Sequence, residues 1–149
     1  MTMKRMLSIV FAAVLGCTVI LPLASASESD QLTKVTFAEA VEIPGTVLPA
    51  GSYWFVLTGD TFSRNLVRIY SSDWKTVYAT EFTVDSHHLK PASDTTITFA
   101  ERESSQPQAL LEWRFPGETI GHEFQYRKPE QRELAQDKQQ TVTATEGGF

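Results

Sequence analysis

Apolar and polar residues alternate along most of the chain, from about residue 32 to residue 128. Gly, Pro, Asp and Ser interrupt the alternation at intervals of roughly eight to twelve residues. Successive side chains of a strand point to opposite faces, so this alternation predicts strands with one buried face and one solvated face. The chain is therefore predicted to form an all-β domain over residues 32–128, a single antiparallel β-sandwich of about eight strands.

Eight segments carry the pattern and mark the predicted strands. They are Lys34–Phe37, Glu39–Ile43, Tyr53–Thr58, Leu66–Ser71, Thr76–Val84, Thr95–Arg102, Gln108–Phe115 and His122–Arg127. The third segment is apolar on both faces, which predicts a central strand. The polar run 72–75 separates the fourth segment from the fifth by only a few residues, which predicts a hairpin.

The fifth segment has a clear division between its two faces. Tyr78, Phe82 and Val84 share one face, whereas Glu81 and Thr83 share the other. We expect the apolar face to be buried and the polar face to contact solvent, as in a sheet that covers a core.

The N-terminal stretch departs from the alternating pattern. Two basic residues, Lys4 and Arg5, precede a long apolar segment, which ends at the small residues of the run 24–26. This order predicts a secretory signal peptide over residues 1–26. The alternative is a retained membrane anchor, but Pro22 shortens the uninterrupted apolar run to about the lower limit for a bilayer span.

Cys17 is the single cysteine and lies within this apolar segment. The run 14–17, Val-Leu-Gly-Cys, is similar to a lipoprotein cleavage box, so lipidation of Cys17 and a membrane tether are the alternative to cleavage after Ala26. Cleavage after Ala26 leaves no cysteine, which excludes disulfide bonds and cysteine-ligated metals in the mature chain. We expect a periplasmic or extracellular protein with no membrane span after cleavage.

The charge balance limits the class of partner. Removal of residues 1–26 takes away two of the 13 basic residues and none of the 18 acidic residues, which leaves a net charge of −7. A negative protein is a poor partner for nucleic acid or for an anionic membrane surface. No nucleic-acid partner is therefore expected.

The C-terminal segment also differs in composition from the predicted domain. Residues 129–149 are rich in Gln, Glu and Thr and poor in large apolar side chains. A helix over Glu130–Gln140 would lack a clear apolar stripe and would be marginal in isolation. We expect a mobile polar tail, disordered or marginally helical.

The run 43–53, Ile-Pro-Gly-Thr-Val-Leu-Pro-Ala-Gly-Ser-Tyr, resembles an element of small exported bacterial β-sandwich proteins of unknown function. Their pattern P-G-x-x-L-P-A-G-x-Y precedes a meander of strands that ends in an aromatic-rich hairpin, here Trp113-Arg114-Phe115-Pro116-Gly117. The likeness covers about residues 32–128. It implies a β-sandwich and carries no catalytic or ligand-binding residue to this chain.

Three histidines, His87, His88 and His122, are the candidate metal ligands. A metal site would need two or three of them to converge with a carboxylate, for which Asp85 and Glu123 are nearest in the sequence. Adjacent residues of a strand point to opposite faces, so His87 and His88 are not expected to share one site. We expect no cofactor and treat metal binding as an alternative.

Catalytic signals are weak in this chain. No serine lies in a G-x-S-x-G run. Carboxylate pairs such as Glu101 with Glu103, or Glu112 with Glu118, are compatible with glycoside hydrolysis but are equally typical of the solvated face of a sheet. The chain is expected not to be an enzyme, with a small envelope hydrolase as the alternative.

The aromatic residues are more informative about function than the histidines or the carboxylates. Trp113 is in phase with apolar neighbours and is expected in the core, and Trp54 is expected to be covered on the second face of a central strand. Trp74 lies in the predicted hairpin turn and, with Tyr70 nearby, is the candidate binding residue. We therefore expect an exported, non-catalytic binding or structural module whose partner is a protein or glycan of the cell envelope.

Overall fold

The structure is a computed structural model that describes residues 31–59, 65–103 and 105–144. The predicted signal peptide, Cys17 and residues 145–149 lie outside the described residues. Within them the chain forms ten strands and one helix. These are β1 (Leu32–Phe37), β2 (Val41–Ile43), β3 (Thr46–Leu48), β4 (Gly51–Thr58), β5 (Leu66–Ser71), β6 (Val77–His87), β7 (Thr95–Glu101), β8 (Gln108–Arg114), β9 (Ile120–Phe124), α1 (Lys128–Leu134) and β10 (Lys138–Ala144).

The strands follow the order β1-β4-β5-β6-β9-β8-β2-β3, with β7 paired to β8 and β10 paired to β7. The long strand β6 joins two halves, because its residues up to Phe82 pair with β5 and those from Thr83 pair with β9. We call β1, β4, β5 and the first half of β6 the first sheet. The remaining strands, with the second half of β6, form the second sheet.

The two sheets pack face to face around one core, which confirms the predicted all-β sandwich. Phe37 on β1 meets Phe99 on β7 with ring centroids 6.0 Å apart, and Phe55 on β4 meets Trp113 on β8 at the same distance. Each of the eight predicted strands is present. The described pairs are antiparallel except for β2 and β8, which run parallel over two residue pairs, a short contact that the sequence did not predict.

Strand β4 occupies the central position that its composition predicts, between β1 and β5. Tyr53, Phe55 and Leu57 are buried, and the Tyr53 hydroxyl donates a 2.6 Å hydrogen bond to the carbonyl of Pro49. The expectation that Trp54 is also covered holds only in part, because the turn after β5 places the ring of Trp74 on it but leaves the indole partly exposed.

The faces of β6 are the reverse of those predicted. Phe82 is 59% exposed and Val84 is also exposed, whereas Thr83 is fully buried. Burial of Thr83 is tolerated because its hydroxyl donates a 3.1 Å hydrogen bond to the carbonyl of Asn65. Alternation therefore located the strand correctly but assigned its apolar face to the wrong side.

The domain extends beyond residue 128, which corrects the boundary of the predicted polar tail. Pro129 lies in the first turn of α1, a position that suits its missing N–H, and Leu134 anchors the helix in the core. Strand β10 then pairs with β7 from Lys138 opposite Glu101 to Ala144 opposite Thr95. Among the described residues, no helix is long and apolar enough to cross a bilayer.

Candidate functional site

Three aromatic rings meet on the outer face of the first sheet, and we call Trp54, Tyr70 and Trp74 the aromatic cluster. Trp54 on β4 and Tyr70 on β5 are register partners. Trp74 lies in the turn between β5 and β6, and its ring stacks on Trp54 with centroids 5.0 Å apart and 22° between the planes. Its centroid is 5.3 Å from that of Tyr70. The structure thus brings together the two predicted binding residues and adds Trp54 to them.

Hydrogen bonds within the hairpin turn hold Trp74 in place. Its backbone N–H donates to the carbonyl of Ser71 at 3.0 Å, and the N–H of Ser71 donates to the carbonyl of Thr76 at 2.8 Å. Asp73 Oδ1 accepts from the Ser71 hydroxyl at 2.6 Å and from the N–H of Lys75 at 3.2 Å. These bonds, led by the one from Ser71, lower the pKa of Asp73, so its carboxylate stays charged and continues to brace the turn.

The backbone of Trp74 has φ = 63°, the one positive value found at a non-glycine residue within the described ranges. A residue with a Cβ atom pays roughly 1–2 kcal/mol for this left-handed conformation, which glycine adopts freely. Despite that cost, the turn places a large indole there and leaves it 47% exposed. Strained residues concentrate at functional sites, so this position is the strongest local signal on the molecule.

Trp54 packs against the inner face of the exposed Trp74 ring. Its indole N–H donates a 3.2 Å hydrogen bond to the carbonyl of Ser72, which ties β4 to the turn. Lys34, its register partner on β1, places Nζ 5.7 Å from the indole centroid, within the range of a cation–π contact. Trp54 is therefore oriented by its own contacts, and Trp74 presents the more exposed surface of the pair.

Polar groups border the aromatic cluster along β1 and β4. The hydroxyls of Thr36 and Ser52, which are register partners, lie 2.8 Å apart and are exposed. Ser52 precedes Trp54 by two residues and therefore lies on the same face of β4. The site combines flat apolar rings with hydroxyl groups that can exchange hydrogen bonds with a ligand.

The three histidines do not converge. His122 is only 5% exposed and lies beside Trp113, and burial lowers its pKa even though the charges of Asp85 and Glu112 act in the opposite direction. His87 is exposed at the end of β6. Across the described ranges, no three His, Cys, Asp or Glu side chains are close enough together to hold a metal ion.

His88 instead belongs to a polar cluster that sequence reasoning missed. Glu112 on β8 accepts a hydrogen bond from Ser86, and its two carboxylate oxygens lie 3.0 and 3.1 Å from His88 Nε2. Gly121 on β9 makes room for this cluster, because a Cβ there would lie 2.6 Å from Glu112 Cδ. Spacing along the chain gave no signal, since the cluster draws on separate strands whose register brings them together.

The order of groups in this cluster limits its chemistry. In a nucleophilic triad the histidine lies between the serine and the carboxylate. Here Glu112 lies between Ser86 and His88, whose Oγ and Nε2 are 3.4 Å apart. His88 and Glu112 line a cavity of about 320 Å³ beside α1, together with Glu123 and Tyr126. The hydrogen bonds of the cluster serve to connect β6 with β8.

Comparisons of this chain with protein-family models, with curated proteins and with solved structures gave no match. The resemblance to small exported β-sandwich proteins therefore stays a prediction that rests on the residues of the run 43–53 and the downstream hairpin.

Proposed function

We propose that this protein is an exported, non-catalytic binding module that holds a glycan against the aromatic cluster. The observation that carries the proposal is Trp74, which is half exposed, stacked on Trp54 and held at φ = 63° in a braced turn. An indole maintained in a conformation that disfavours it is better explained by contact with a ligand than by stability.

A sugar matches the chemistry of the site. One face of a pyranose ring presents C–H groups that pack on an aromatic face, and its rim presents hydroxyls that exchange hydrogen bonds. The cluster supplies the flat surface, and Thr36 and Ser52 supply hydroxyls on the same face. A stable protein partner would need about 800 Å² on each side with a packed apolar centre. Three rings bordered by hydroxyls fit a small, partly polar ligand better.

The arrangement around Glu112 supports the non-catalytic part of the proposal. Its carboxylate is hydrogen-bonded to Ser86 and lies within hydrogen-bond distance of His88, so the histidine does not lie between the serine and the carboxylate as it does in a nucleophilic triad. The compartment rests on the pattern of residues 1–26, with a tether through Cys17 as the alternative form of the exported protein.

Glycan binding is tested by calorimetry on a panel of soluble neutral and uronic-acid oligosaccharides. We expect at least one of them to bind, and Trp74→Ala to weaken that binding about tenfold or more, because a stacked aromatic is a typical binding hot spot. Phe82→Ala is the matched control, since Phe82 is exposed on β6 outside the cluster. No binding by the wild-type protein, or equal losses in the two variants, would overturn the proposal.

A further inference from the structure

The strands that carry the aromatic cluster differ in charge from the chain as a whole. The full sequence has a net charge of −5. Strands β1, β4 and β5 nevertheless contain two basic residues, Lys34 and Arg68, and no Asp or Glu. The carboxylate closest in sequence to the cluster is Asp73, which is paired with Lys75 at 3.8 Å. The face around the cluster is therefore cationic on an acidic protein.

Both cations lie close to the rings. Lys34 is the register partner of Trp54, so its Cα is about one strand spacing away, ~4.8 Å. Arg68 precedes Tyr70 by two residues on β5, which places it on the same face and about 7 Å along the strand. Arg68 is exposed. The two positive charges thus flank the cluster, Lys34 next to Trp54 on the neighbouring strand and Arg68 next to Tyr70 along the same strand.

Neither cation is neutralised by a carboxylate within the described part of the chain, in contrast to Lys75, Arg102 and Lys138. On the second sheet, Arg102 pairs with Glu42, and Lys138 lies 3.8 Å from Glu101. Among the described residues, neither Lys34 nor Arg68 takes part in an ion pair. Two uncompensated cations beside an exposed aromatic surface are available to an anionic ligand.

We propose, building on the proposed function, that the ligand is an acidic saccharide chain that carries carboxylate groups, such as a uronic acid polymer. A sugar ring packs on Trp74, and carboxylates of the chain pair with Lys34 and with Arg68. The planar guanidinium of Arg68 suits a carboxylate, which it binds through two parallel hydrogen bonds.

The test compares two forms of one polymer, polygalacturonate and its fully methyl-esterified form, which differ in charge but share the sugar backbone. We expect the wild-type protein to bind polygalacturonate about tenfold or more tightly at low ionic strength, with the preference reduced at high salt because salt screens exposed charges. The double variant Lys34→Gln/Arg68→Gln should bind both forms alike. The control Lys128→Gln/Lys138→Gln removes two exposed cations from the other half of the molecule and should keep the preference.

The outcomes separate this inference from the proposed function. Equal binding of both polymers by the wild-type protein, weakened in both cases by Trp74→Ala, would overturn the acidic ligand and leave glycan binding intact. Loss of the preference in the control variant would show an effect of net charge alone and would also overturn it. Tighter binding to phosphatidylglycerol vesicles than to polygalacturonate would assign the cationic face to a lipid surface instead. Polygalacturonate binding that Trp74→Ala leaves unchanged would overturn both proposals.

Discussion

The backbone of Trp74 adopts a conformation that its side chain disfavours. At φ = 63° the Cβ atom of any L-residue crowds the backbone, and turns of this kind usually place Gly or Asn there. The indole recovers part of that cost through its stack on Trp54 and its contact with Tyr70. Stability and ring placement are therefore separable at this residue by substitution.

Comparison of Trp74→Gly with Trp74→Ala tests the left-handed backbone. Both variants lose the ring, but only glycine also loses the strain, so we expect Trp74→Gly to be more stable than Trp74→Ala by about 1 kcal/mol. Urea unfolding measures the difference. At Trp54, whose φ is not positive, the order should reverse and Ala should be the more stable. An Ala variant at position 74 as stable as the Gly variant would contradict the assigned conformation.

At the scale of strands, Gly121 lies where strands β6, β8 and β9 come into close contact. It lies opposite Ser86 in the pairing of β9 with β6, and the carboxylate of Glu112 on β8 occupies the space that a side chain would take. A glycine inside a strand weakens the strand, so its presence here is explained by the close approach of Glu112. The need for glycine at position 121 therefore arises from the packing of β6, β8 and β9 against one another.

Gly121→Ala should destabilise the domain by about 1–3 kcal/mol, because the new methyl group would lie 2.6 Å from Glu112 Cδ and 2.7 Å from Ser86 Oγ. In a Glu112→Ala background most of that cost should vanish, since the larger obstacle is gone. A double-mutant cycle by urea unfolding measures the coupling. The same cost in both backgrounds would show that Gly121 serves some purpose other than space for Glu112.

At the scale of the molecule, burial of His122 between the sheets makes stability depend on pH. Burial lowers its pKa below the usual 6.5, so the unfolded chain takes up a proton before the folded protein does. This contribution is complete above pH 6.5 and is lost as the pH falls from there through the folded pKa. We expect the urea midpoint to decrease over that interval.

His122→Gln isolates this contribution. Burial raises the pKa of Glu81, which acts in the opposite sense, but Glu81 is present in both proteins and its effect cancels in the comparison. The decrease between about pH 7 and pH 5 should be smaller in the variant than in the wild-type protein. Parallel curves for the two proteins would show that His122 is not buried in its neutral form.

Alternation of apolar and polar residues was enough to predict the sandwich, because a strand half buried in a core must alternate. It located β4 at the centre and β5 and β6 as a hairpin. It missed β10, since that strand has only one large apolar residue, Val142, and is held by edge pairing to β7, including a 2.9 Å contact between the hydroxyls of Thr98 and Thr141. A shift in register between β7 and β8 leaves Leu110 buried and Leu111 only partly so, which no count of residues predicts.

The sequence by itself also marked Trp74 and Tyr70, because an aromatic residue in a short polar turn has no core to enter. Only the tertiary structure decided that Trp54 completes the cluster, that Trp74 adopts a left-handed backbone and that the cations at Lys34 and Arg68 flank the rings. Local patterns report which face of one strand is buried. The composition of a surface depends on which strands become neighbours and in what register, and those pairings join residues far apart in the chain.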